Sequence, residues 1–435
     1  MAAARNRWLV ALSGVGVHLS IGSIYAYSVM TKPLEVALGW EKQNITLAFS
    51  VAIAFLGCSA AFLGPLVEKY GPRAAGMFAA CFYGLGTLVA GVGVQLESLP
   101  VFIAGYGVLG GIGLGVGYIT PVSTLVKWFP DKRGLATGMA IMGFGFAAMI
   151  FGPVMARLFA AEAVSTAGTF YILGAVYFVL IFASALYIAP PPPGWMPAHL
   201  TGEALAAKPA KKAAVVQDLA QCTVGEALRT RRFYFMWTMM FINITCGIGL
   251  IAVASPMAQE TAGMSAAAAA ALVGLMGVFN GLGRFGWASV SDFLGRPGTY
   301  ASFFVIQIIA FALLAQAPAP WLFTTLVLLI LTCYGGGFAT LPAFLGDLFG
   351  TKRLGAVHGA TLTAWSAAGL FGPTFVTRVQ EATGNYAATL YVFAGMFGLA
   401  LVITVFMALD IKAKRGNPAD TSAVGAAAVT ASATS

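Results

Sequence analysis

The sequence predicts an all-α integral membrane protein, with twelve transmembrane helices in two six-helix bundles related by a pseudo-two-fold repeat. Three observations carry this. Of 435 residues, 59% are hydrophobic and 9% charged, too thin a polar load to cover a water-soluble globule. A membrane helix takes ~20 apolar residues to cross a ~30 Å hydrocarbon core, and the stretches between charges are long enough to do so. Landmarks in the first half also recur in the second, 220 to 224 residues later.

The first stretch free of Lys, Arg, Asp and Glu is 8–31. It has the apolarity of a secretory signal, but no soluble domain follows, so it reads as a span. The next are 43–67, 74–96, 98–126, 134–156 and 163–190. Pro190 to Pro193 stop the sixth helix. Residues 194–230 form a polar, Ala/Lys-rich linker, with a short surface helix expected near Val224 to Leu228 and His199 as a solvated side chain. The second half supplies 233–259, then 261–283 running on past Arg284 to Ser291. The stretch 297–346 is too long for one helix, and Pro318 and Pro320 divide it. Stretches 354–377 and 382–409 complete six plus six. The expected units are an N-terminal bundle over 1–189, a linker over 190–231, a C-terminal bundle over 232–410 and a disordered tail over 411–435.

Orientation follows from Lys and Arg, which stay on the cytoplasmic side. With the N-terminus inside, 19 of the 24 fall on that side and 4 on the other. The net charge of +9 therefore encodes topology, and both termini are expected in the cytoplasm. A nucleic-acid partner loses its support. The five cysteines, Cys58, Cys81, Cys222, Cys246 and Cys333, have no paired spacing and mostly lie in apolar runs, as small buried hydrophobes do. No HExxH, Cys-x-x-Cys or G-x-S-x-G occurs, so neither an enzyme nor a cofactor or metal is expected. The glycines from Gly105 to Gly117 are no phosphate loop; they let the fourth helix approach a neighbour closely.

The internal repeat is specific. Trp128-Phe-Pro-Asp-Lys-Arg-Gly-Leu-Ala-Thr-Gly138 follows the fourth span, and Leu348-Phe-Gly-Thr-Lys-Arg-Leu-Gly-Ala-Val-His-Gly359 follows the tenth. Gly152-Pro153 matches Gly372-Pro373, and Glu68-Lys-Tyr-Gly71-Pro-Arg73 matches Asp292-Phe-Leu-Gly295-Arg296. Such duplication is the architecture of carriers that rock one bundle against the other. The segment Gly64-Pro-Leu-Val-Glu68-Lys-Tyr-Gly71-Pro-Arg73 resembles the loop after the second span of the major facilitator superfamily, G-x-x-x-D-R-x-G-R-R, with Glu for Asp. In physical terms the carboxylate can cap a neighbouring helix N-terminus and the basic residues can face a C-terminus, latching helices together.

One charge does not mark a helix end. Arg284 lies eight residues before Asp292, ~12 Å into its helix at 1.5 Å per residue, near the midplane. An arginine there costs ~2.5–3.5 kcal/mol on insertion scales, so it should face a wet cavity or a counter-charge. All fifteen Asp and Glu are expected in loops, linker or tail. The absence of a carboxylate partner leaves pairing to helix carbonyls, or a substrate anion held by the guanidinium fork. A single fixed cation suits a monoanion.

Further segments resemble the branch that contains the oxalate:formate antiporter and the monocarboxylate transporters. They are Asn6-Arg-Trp8, Lys127-Trp-Phe-Pro-Asp-Lys-Arg-Gly-Leu-Ala-Thr-Gly138, Arg231-Arg-Phe-Tyr-Phe-Met-Trp237, Asn280-Gly-Leu-Gly-Arg284 and Tyr334-Gly-Gly-Gly-Phe-Ala. The likeness runs from about residue 6 to 410. It implies that Arg284 binds the substrate carboxylate, as the eighth-helix arginine of that branch does. The oxalate carrier's second cation, a lysine in its eleventh helix, falls here near Trp365, so a monocarboxylate is expected over oxalate. The lysine and aspartate of the animal monocarboxylate transporters fall at Val29 and Asn280, so their proton relay does not carry over.

Other candidate substrate-binding residues are Tyr118, Tyr334 and Tyr25, which match aromatic positions of the oxalate carrier, with Tyr27 as an alternative in the first helix. Phenol hydroxyls can bond a carboxylate while the rings seal the cavity. Helix packing is the other account of each. Asn280, one turn from Arg284, can orient it or the substrate. His18 lies mid-membrane and is either a proton relay or a hydrogen-bonded packing residue; His358 is expected to be structural. The expected function is secondary transport of a small monocarboxylate of the lactate or pyruvate type. It is coupled to protons by alternating access in a monomer of the cell inner membrane, like the bacterial lactate carriers. The rivals are carboxylate exchange of the oxalate:formate type and a non-transporting anion receptor.

Overall fold

The computed structural model describes residues 5–197 and 219–415. The middle of the linker, His199 and the tail from residue 416 on lie outside the described residues. Nine helical segments among the described residues are long and apolar enough to cross a membrane. One of these, Asn44–Gln95, is two spans: Lys42–Gln95 reverses at Gly71, where φ is +82°, in the left-handed region that glycine enters without a Cβ penalty. The other eight bring the count to ten, and Ala266–Leu294 with the broken pair Leu354–Thr361 and Thr363–Thr383 completes twelve.

The first span is Arg7–Ile21, a 3₁₀ turn Gly22–Ala26, and Ser28–Leu38. It therefore runs further than the charge-free stretch suggests, on to Leu38. The fourth combines Leu99–Phe102, a π-helical turn Ile103–Leu109 and Gly110–Trp128. The fifth is Arg133–Ala160 and the sixth Thr166–Tyr187. The linker helix is Val224–Leu228, closed at its start by a reciprocal bond pair between Thr223 and Glu226, the arrangement that satisfies two orphan donors at once. Those bonds, from the Thr223 backbone first, hold the Glu226 carboxyl below its usual range.

In the second half the spans are Arg231–Ala262, Ala266–Leu294, Arg296–Leu314, Pro320–Phe349, the broken pair Leu354–Thr361 and Thr363–Thr383, and Ala387–Arg415. The proline pair near 320 does separate the ninth and tenth spans.

Glycine makes the interfaces. A Cβ at Gly107 would meet Val51 at 2.8 Å and one at Gly111 the Ala52 carbonyl at 2.7 Å, so the fourth span does pack backbone-close against the second. Between the halves, a Cβ at Gly64 would meet Ala356 at 2.8 Å, one at Gly138 the Arg284 carbonyl at 3.0 Å and one at Gly145 Gly281 at 2.7 Å. The second span thus crosses the eleventh, and the fifth crosses the eighth, as a two-fold repeat demands.

The Lys/Arg-rich end carries a latch built from both copies of the repeated loop. Glu68 accepts the Gly355 N–H at 2.9 Å, and Asp292 accepts those of Gly134 and Leu135 at 2.8 and 2.9 Å. Each carboxylate sits at the first turn of a helix in the opposite half, where free N–H groups and the dipole favour an anion.

The expectation that every acid lies in a loop, the linker or the tail fails: Glu35, Glu68, Glu260, Asp292, Glu381 and Asp410 lie within helices, and one more acid is buried at a helix end. Asp347 is not in a loop: it lies in the last turn of the tenth helix and is buried. Its carboxylate binds Arg133 at 2.9 Å and Arg296 at 2.8 Å, and Arg296 also reaches Asp292 at 2.9 Å. Two acids and two arginines neutralise one another across the halves. The tenth helix runs on through Gly346 to Phe349 because a buried ion network replaces the water that Asp347 would otherwise need.

Candidate functional site

Arg284 is fully buried. Its Nε donates to Asn280 Oδ1 at 3.1 Å, one helical turn away, so Asn280 fixes the guanidinium plane. Both terminal nitrogens lack a hydrogen-bond partner. Among the described residues no carboxylate makes an ion pair with it. The alternative of pairing to helix carbonyls is likewise not seen at those two nitrogens.

Aromatic rings surround the guanidinium. Its carbon lies 5.4 Å from the Phe144 ring centre and 5.0 Å from that of Phe338, within cation–π reach. Trp365 packs edge-on to Phe338 at 4.6 Å and to Tyr118 at 5.4 Å. Tyr25 stands edge-on to Phe144 at 4.9 Å and near Trp365 at 6.5 Å. Tyr334 packs on Phe338 at 5.3 Å. Tyr25, Tyr118 and Tyr334 are all near enough to Arg284 to feel its charge. The hydroxyls of Tyr25 and Tyr118 and the indole N–H of Trp365 are buried without partners. Two guanidinium nitrogens, two phenols and one indole N–H thus form a set of unengaged donors within one aromatic box.

Sequence features explain how the box closes. Tyr334-Gly-Gly-Gly-Phe338 puts Tyr334 and Phe338 one turn apart on one face. The intervening glycines let that face lie against the eighth helix: a Cβ at Gly335 would meet Asn280 Oδ1 at 2.6 Å and Arg284 Cγ at 3.1 Å. We therefore expect Gly335→Ala to weaken substrate binding about tenfold or more by displacing the Asn280–Arg284 pair. Isothermal titration or tryptophan fluorescence with the purified variant checks this, and unaltered affinity would sink the positioning role given to Gly335.

All six expected binding residues, Arg284, Asn280, Tyr118, Tyr334, Tyr25 and Trp365, are gathered in this box. Tyr27 is elsewhere: its hydroxyl bonds the Ile45 carbonyl and its ring packs on Tyr106 and Phe49. His18 abuts the box, 5.1 Å from the Tyr118 ring, with both nitrogens facing backbone carbonyls, Ala140 O at 2.8 Å and Tyr118 O at 3.0 Å. Sequence reasoning missed Phe144 and Phe338. Phe338 was findable as the residue one turn after Tyr334; Phe144, among alternating glycines and phenylalanines, carries no such signal.

A family model for the Major Facilitator Superfamily matches residues 14–373. The oxalate:formate antiporter of Oxalobacter formigenes is 30% identical over 370 residues, covering 84% of this chain and 83% of its own. Monocarboxylate transporter 13 of Rattus norvegicus is 26% identical over 399 residues, covering 90% and 86%. Among solved structures, the crystal structure of a major facilitator superfamily transporter, FucP, in the outward conformation superposes with a TM-score of 0.69 at 15% identity. It covers 91% of this chain and 98% of that one, a likeness of fold.

Proposed function

The chain belongs to the major facilitator superfamily, in the branch holding the oxalate:formate antiporter and the monocarboxylate transporters, and from that premise we propose that it carries small monocarboxylates of the lactate or pyruvate type by proton-coupled symport. It is a multi-pass membrane transporter and not an enzyme. The observation that carries the substrate class is the Arg284 fork, buried with both terminal nitrogens unengaged. A carboxylate takes both in parallel. Its remaining atoms meet the Tyr25, Tyr118 and Trp365 donors, which suit an uncharged hydroxyl or keto oxygen; a second carboxylate would find no cation there.

Arginine remains protonated, so substrate charge neutralises the site before the halves move. The latch at Glu68, Asp292 and Asp347 holds the Lys/Arg-rich end shut. By the positive-inside rule that end and both termini are cytoplasmic in the cell membrane, so the site is closed to the cytoplasm in this arrangement. Tyr25, the partly exposed member of the box, marks the approach from outside.

The test is uptake of labelled acetate, lactate, pyruvate, formate and oxalate into proteoliposomes under an inward proton gradient. Lactate or pyruvate should lead, and oxalate alone being taken up would overturn the assignment. The identity to an oxalate:formate antiporter favours one second reading, obligatory exchange. Counterflow driven by internal substrate, with no response to a pH step, would select it. A receptor that binds without flux would show neither. Because Trp365 stands where the oxalate carrier's lysine is expected, Trp365→Lys should shift preference toward oxalate by roughly tenfold, about the worth of one charge-assisted bond. Competition of oxalate against labelled lactate measures it, and an unchanged ratio would remove Trp365 from selectivity.

A further inference from the structure

We infer that His358 carries the proton that accompanies the substrate, an inference that rests on the carboxylate-carrier reading above. His358 lies in the short helix Leu354–Thr361, is fully buried, and neither of its ring nitrogens has a hydrogen-bond partner. A neutral imidazole of this kind offers an N–H on one side and an open lone pair on the other. Its ring centre is 5.9 Å from that of Tyr118, a residue of the opposite half whose ring also packs on Trp365. Immediately after it the eleventh span breaks at Leu362, whose N–H turns back to the carbonyls of His358 and Gly359.

His18 is differently placed. Both its carbonyl partners, in the fourth and fifth spans, belong to its own half. When that half rocks as a body, those two hydrogen-bond partners travel with the ring. The contact of His358 with Tyr118 spans the two halves and parts on rocking, exposing the ring to the end now latched.

Most of the charged groups on the elements around His358 are engaged. On the second and fourth spans, Glu68 and Lys127 pair at 3.3 Å. On the tenth, Asp347 is held by Arg133 and Arg296. On the seventh, Arg231 and Arg232 hold Asp410, and in the linker helix Glu226 closes on Thr223. Arg353 starts the same short helix as His358.

Coupling follows from charge. In the empty site Arg284 leaves the box with an uncompensated positive charge, and in a low-dielectric interior that charge disfavours a second cation on the far side of Phe144 and Tyr118. A bound carboxylate cancels that opposition, so substrate favours addition of a proton to the open lone pair of His358, giving imidazolium. By linkage the proton favours substrate by the same factor. On opening of the latched end the proton passes to water, and one anion plus one proton move no net charge.

In proteoliposomes, His358→Gln should lose roughly tenfold or more of lactate accumulation driven by a proton gradient, yet keep counterflow exchange at equal pH within about twofold, given typical coupling factors of 5–150. Lactate affinity should rise as pH falls in the unmodified protein and be flat in the variant. Loss of both transport modes, or retention of both, overturns the inference. No lactate uptake by the unmodified protein overturns the carboxylate-carrier reading itself and the inference with it. The chain has three histidines, so ¹⁵N-histidine spectra of the unmodified protein, assigned with His18→Gln and His199→Gln, give a readout independent of the variant's folding. The His358 titration midpoint should rise on adding lactate; an unmoved midpoint overturns the proposal.

Discussion

Arg284→Gln abolishes carrier-mediated uptake of lactate and pyruvate, with substrate affinity falling by about two to four orders of magnitude. Two charge-assisted bonds of ~1.5–3 kcal/mol each are removed, and 1.4 kcal/mol is a factor of ten. Glutamine also removes a buried charge whose terminal nitrogens have no protein partner, so the apparent melting temperature should hold or rise. This combination separates a binding role from a structural one, since strained functional sites give up stability for activity. Arg284→Lys keeps the charge and loses the fork, and should retain a fraction of the affinity. Uptake at the original rate by folded Arg284→Gln protein would end the assignment of Arg284 as the anion anchor.

The second large effect concerns stability. Asp347→Ala strands Arg133 and Arg296, both buried, and breaking a buried pair by removing one partner costs ~3–5 kcal/mol. At about 2–4 °C per kcal/mol for domains of 150–250 residues, the apparent melting temperature in detergent should drop by roughly 6 °C or more. Asp347→Asn retains an acceptor and should lose less. The same substitution unties the fifth span from the tenth, so the latched arrangement should lose population, readable as increased labelling of cysteines introduced at the Lys/Arg-rich end. A melting temperature and labelling rate equal to those of the unmodified protein would show that Asp347 holds nothing together.

Much of this molecule is legible in its sequence because a bilayer leaves few choices. Backbone polar groups must be satisfied within each span, so apolar stretches of the right length become helices, and the Thr223/Glu226 capping pair announces even the five-residue linker helix. Arg284 is legible for the same reason: a midplane charge with no acid in reach of its own sequence neighbourhood has few explanations. Gly105 to Gly117 announce a close crossing, though not with which partner.

Where sequence reasoning fell short, the cause is contact across the halves. The latch capacity of the Glu68 motif is readable, but that its partner is Gly355, 287 positions away, is not. Asp347 follows Gly346 at what looks like a helix end, and only the two arginines packed on it make burial tolerable. The π-helical turn at Ile103–Leu109 and the 3₁₀ turn at Gly22–Ala26 alter side-chain phase in ways that ideal helical spacing does not anticipate.

The sequence by itself determined the class, the twelve spans, the internal repeat and the isolated arginine, all consequences of the cost of placing polar groups in hydrocarbon. The tertiary structure decided what stands around that arginine. It brought Tyr25, Tyr118 and Phe144 from one half against Phe338, Tyr334 and Trp365 from the other, and left His358 unengaged on the seam between them. Those residues are far apart in the chain, and their meeting depends on the crossing of helices at glycine-lined contacts, a property of packing that no local pattern encodes.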